Sequence, residues 1–79
     1  MAQPLILGGI YTHYKGKNYK VLGIARHSES LEELVVYEAL YENDLGTLWV
    51  RPKAMFEGTV TVDGVTMPRF KFIFSPNGA

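Results

Sequence analysis

The stretch "ARHSESLEELVVYEALY", Ala25 to Tyr41, supports two readings, and the choice between them decides the fold. Ser30-Leu31-Glu32-Glu33 has the form of a capping box, and Leu31, Leu34 and Val35 keep helical spacing. Beyond Glu33 that spacing fails. "LVVYEALY" is dense in β-branched and aromatic residues and ends at the turn-rich "ENDLG", so a strand is expected from Leu34 to Tyr41. "SESLEE" then becomes a polar turn, with room for one turn of helix.

The flanks agree with the strand. "GIYTHY" and "YKVLGIARH" around "KGKN" read as a hairpin, and Gly23 inside its second arm marks a bend or bulge. Downstream, "LWVRP" is a short strand stopped by Pro52, which cannot donate to a ladder. "PKAMF" fits one helical turn with Met55 and Phe56 facing inward. "GTVTV-DG-VTMPRFKFIF" is a second hairpin whose Asp63-Gly64 supplies the positive φ angles of a two-residue turn. Pro68 places the start of the return arm at an edge or bulge. The expectation is a mainly β chain, a small barrel of five or six short antiparallel strands with one short helical turn. Residues 1–8 read as a flexible arm, 9–74 as a single barrel domain and 75–79 as a polar tail.

Seventy-nine residues make one domain with a small core. Without cysteine the chain has neither a disulfide nor thiol chemistry. Eight basic and eight acidic residues give zero net charge, which counts against a domain devoted to gripping phosphate backbones. The same neutrality, with the apolar "PLIL" near the start, leads to an expected homo-oligomer. No segment resembles a signal peptide or membrane span, so a cytoplasmic protein without membrane contact is expected.

The residues "GIYTHYKGKNYKVLGIARHSESLEELVVYEALY", "LWVRPKAMF" and "PRFKFI" resemble the small bacterial proteins catalogued as domain of unknown function 1653. The resemblance covers Gly9 to Ile73. It implies an SH3-like small barrel and carries no catalytic residues, since the family's biochemistry is not established.

For chemistry, His27 with Ser28, Arg26 and Glu29 invites comparison with a hydrolase triad. Adjacent strand residues point to opposite faces, however, and a triad needs side chains that converge. His13 and His27 lack the spacing of a metal site, and adjacent Glu32 and Glu33 read as a solvated turn. No phosphate loop is present, so no cofactor or metal is expected. The stronger constellation is aromatic and basic: Trp49 beside Arg51, with Arg26, His27, Glu29 and Tyr37 as further ligand-binding candidates. Tyr11, Tyr14, Tyr19 and Tyr41 add rings on which a flat ligand could stack. The expected function is a binding module for a peptide or small polar ligand. Single-stranded nucleic-acid binding is the alternative, and a very small enzyme or accessory domain using His27 the third.

Overall fold

Alternating inward and outward side chains, interrupted where a glycine or proline allows a bend, carry the chain through seven strands. The structure, a computed structural model, describes residues 5–76. In chain order these are β1 (Ile10–His13), β2 (Asn18–Arg26), β3 (Glu33–Ala39) and β4 (Leu48–Pro52). A one-turn helix α1 (Lys53–Phe56) follows, then β5 (Thr59–Val62), β6 (Val65–Pro68) and β7 (Phe70–Phe74). Five strands form an antiparallel sheet in the order β4-β3-β2-β1-β7, and β5 and β6 form a separate hairpin. The mainly β class agrees with the sequence reading, with seven strands in place of five or six. Among the described residues β4 and β7 are the sheet's outer strands and no ladder joins them.

The opening stretch resolves into strand, turn and strand. β3 begins at Glu33 and ends at Ala39, two residues short of the expected Tyr41. No helix forms over "SESLEE", and the capping box is not made. The Ser30 hydroxyl accepts from the Glu32 amide at 3.2 Å instead, while Leu31 takes a positive φ of 66°. The register of β2 on β3 shifts between Val21 and Gly23, which is the irregularity that the interior glycine signals.

Cross-strand partners share a sheet face, so the inner face is a continuous set of large side chains. Tyr11, Val21, Val35, Tyr37, Phe56 and Phe70 are the buried cluster. Phe56, 1% exposed, stacks on Phe70 at 4.0 Å and meets Tyr11 and Tyr37 at 5.5 and 5.4 Å. Met55 departs from expectation: it is 49% exposed, because successive residues of a single helical turn face different directions and only Phe56 reaches the core. The β5–β6 turn holds Asp63 at φ 52° and Gly64 at φ 79°, as its two-residue loop requires.

Residues 1–4 of the expected arm lie outside the described residues, as do residues 77–79 of the tail. The rest of the arm is tied to the sheet. The Gly8 amide donates to Val21 O at 2.7 Å, the Ile6 amide to the Tyr11 hydroxyl at 3.0 Å, and Leu5 packs against the core. Gly9 sits where a Cβ would lie 3.0 Å from both Ile6 O and the Phe72 ring. No helix among the described residues is long and apolar enough to cross a membrane.

Candidate functional site

The inner face changes character where β1 runs into the β1–β2 turn. On β4, Trp49 and Arg51 point to this face, opposite Tyr37 and Val35 of β3. Arg51 extends until its guanidinium carbon lies 5.3 Å from the Phe70 ring centroid. A cation over an aromatic face is attracted by the ring quadrupole, so Phe70 supports the arginine without neutralising it. His13, paired with Phe70 across β1 and β7, places its ring 4.9 Å from the same aromatic. Tyr19 stands 5.8 Å from Phe70, and its hydroxyl shares a 2.6 Å hydrogen bond with that of Tyr41. Arg69, directly before Phe70, is held by its backbone: its carbonyl accepts from Tyr14 and its amide donates to Gly58 O.

The electrostatics of this cluster are one-sided. Burial lowers the His13 pKa below its usual 6.5, and Arg51, Arg69 and Lys15 lower it further. His13 Nδ1 accepts the Lys15 amide at 3.2 Å, which leaves the ring proton on Nε2. Burial and the Tyr41 hydrogen bond push the Tyr19 pKa well above its ordinary 10.0. Lys15 lies 5.9 Å from the Tyr14 centroid and Lys17 5.0 Å from that of Tyr41. Among the described residues neither Arg51 nor Arg69 makes an ion pair. Among the described residues no acceptor reaches the buried donors Arg69 Nε and Trp49 Nε1. Buried donors are nearly always satisfied in folded proteins, which sets these two apart among the described residues.

Of the residues singled out in the sequence, Trp49 and Arg51 belong to this inner face. Tyr37 is 4% exposed and serves the core, where it offers no open ring to a ligand. Arg26, His27 and Glu29 lie at the β2–β3 turn and shape it. Arg26 donates to Leu31 O at 3.1 Å, and His27 Nδ1 accepts the amides of Glu29 and Ser30 at 3.1 and 3.3 Å. With Nδ1 so engaged, His27 organises a turn. Among the described residues no hydrogen bond joins its ring to Ser28. Beyond that turn lies a groove of about 280 Å³ lined by Glu32, Glu33, Lys53, Ala54 and Glu57. No three potential metal ligands converge among the described residues.

Arg69 joins the candidate cluster without having been singled out in the sequence, and His13 is weighed there only as a metal ligand. His13 follows Tyr11 at the strand period of two, which marks it as inward-facing. Its aromatic and cationic neighbours come from strands far along the chain.

The comparisons with known proteins follow the same outline. A family model described as a protein of unknown function, DUF1653, matches residues 9–72. A crystal structure of a DUF1653 protein from Bordetella bronchiseptica is similar at 33% identity and a TM-score of 0.85. That match covers 95% of each chain. Comparison with curated proteins returned no match.

Proposed function

The chain belongs to the DUF1653 family, and from that premise we propose that it is a non-enzymatic binding module recognising a peptide or small polar ligand at the basic-aromatic end of its inner face. The observation that carries this reading is the grouping of Arg51 and His13 about Phe70, with Arg69 near enough to His13 to lower its pKa and no carboxylate paired to either arginine among the described residues. Crowded like charges oppose one another, and an arrangement that keeps them together is favoured once an anionic or strongly accepting group arrives. Trp49 and Arg51, the pair named from sequence, contribute from β4, and Tyr14, Tyr19 and Tyr41 supply rings at the rim.

Single-stranded nucleic acid is a second reading, favoured by Lys15 and Lys17 lying over tyrosine rings, since stacking surfaces beside cations suit bases and phosphates together. Zero net charge weighs against it. An amide NMR titration at low salt separates the two, with acidic and neutral short peptides in one series and single-stranded oligonucleotides in another. Shifts from Lys15 to Tyr19 and at Arg51, Arg69 and Phe70 with peptides would support the leading reading. The same shifts with oligonucleotides alone, collapsing as salt is added, would replace it with the second.

A further inference from the structure

We propose that Arg51, Arg69 and His13 together take an oxyanion, a carboxylate or phosphate group of the ligand, and that His13 takes up one proton from solvent as the oxyanion binds. This rests on the binding reading above and adds both the chemical class and a proton linkage. Arginine forks match either oxyanion, and among the described residues neither Arg51 nor Arg69 is committed to an acid. Phe70 supports both Arg51, at 5.3 Å, and His13, at 4.9 Å, so cation and imidazole flank one ring.

The groups facing His13 are Arg51 from β4, Arg69 from the β6–β7 junction, Lys15 from the β1–β2 turn, and the rings of Tyr14, Tyr19 and Phe70. No acid is among the groups that shift it, so the neutral imidazole is favoured while the site holds cations alone. An oxyanion reverses the sign of that local field. Nε2 already carries a hydrogen, so the incoming proton adds at Nδ1. There it displaces the Lys15 amide, which now donates to Nδ1 at 3.2 Å. Binding and the state of the β1–β2 turn are therefore linked through one ring nitrogen.

The test uses the whole protein, with sulfate as a tetrahedral probe that does not titrate over the range and acetate as the carboxylate arm. Imidazole resonances of His13 are followed from acid to alkaline pH with and without each anion, with His27 as internal control. The expected result is a rise in the His13 midpoint with a saturating anion, no change at His27, and a shifted Lys15 amide. Affinity should strengthen as pH falls, by up to about tenfold per pH unit while one proton is taken up. Arg51→Met and Arg69→Met should each remove the response, and Arg51→Lys should restore part of it. A response to sulfate alone or to acetate alone, with these variant effects, identifies the source of the oxyanion.

Anion-dependent shifts at Arg51 and Arg69 without movement of the His13 midpoint would overturn the proton linkage and leave the binding reading standing. Peptide-dependent shifts with silence toward both anions would overturn the oxyanion class. Silence toward peptides, oligonucleotides and anions alike would remove the binding reading itself.

Discussion

The two ends of the domain handle charge in opposite ways. At the β2–β3 turn, polar groups answer one another locally: His27 Nδ1 receives two amides, Ser30 receives Glu32, and Arg26 caps Leu31. The neighbouring groove holds an ion pair, Lys53 to Glu57 at 3.3 Å, beside Glu32 and Glu33. At the His13 end, Arg51 leans on a ring, and among the described residues neither it nor Arg69 is paired to an acid. The contrast teaches that a polar cluster conspicuous in sequence can be architecture, whereas the cationic cluster proposed here for recognition is assembled from residues distant in the chain.

Phe56 connects the two ends, since α1 lines the groove with Lys53 and Ala54, and Glu57 follows it there, while the helix's last residue stacks on Phe70. Phe56→Ala should therefore disturb both, at about 3–5 kcal/mol of stability for a large buried aromatic. Urea unfolding of wild type and variant measures this directly. Arg51→Met should break only one end. Losing a charged donor at a recognition surface contributes about 1.5–3 kcal/mol, so peptide affinity measured by titration calorimetry should fall at least about tenfold. Unfolding stability should change little, because no ion pair of Arg51 is lost among the described residues.

Two smaller effects sharpen the contrast. Tyr41→Phe removes the 2.6 Å hydroxyl pair with Tyr19, at a cost of about 1 kcal/mol, and should let the Tyr19 pKa fall back toward 10.0 in an ultraviolet titration. At the groove, Lys53→Met should cost only about 0.3–0.5 kcal/mol, since the pair is i,i+4, partly exposed, and has the lysine on the N-terminal side.

The pH dependence follows from His13. Its folded pKa lies below 6.5, so between the two values the unfolded chain binds more protons than the folded one. Stability is then fully present above about pH 6.5 and declines as pH falls from there toward the folded value. His13→Asn should flatten this part of the stability profile, measured by thermal unfolding across the same range.

Much of the fold was legible because local signals coincided. Asp63-Gly64, Gly23 and the β-branched run Leu34–Tyr37 each have a conformational preference that the tertiary structure did not oppose. The capping box over Ser30 to Glu33 misled because the same residues can satisfy a tight turn, and Ser30 bonds within it. Met55 misled because four helical residues are too few to define an inward face. Only half of the candidate site was legible. Arg51 and Trp49 advertised themselves by type, but His13 and Arg69 gain their significance from Phe70 and from one another, through β1–β7 pairing that no local window contains.

The most direct measurement is a residue-by-residue amide shift map of the whole protein titrated with a short acidic peptide at low salt. Shifts should concentrate on Lys15, Tyr19, Arg51, Arg69 and Phe70, with none at Glu32, Glu33, Lys53 or Glu57, and Arg51→Met should abolish them. Shifts centred instead on the β2–β3 turn and the groove, or undiminished in Arg51→Met, would contradict the assignment of recognition to the His13 end.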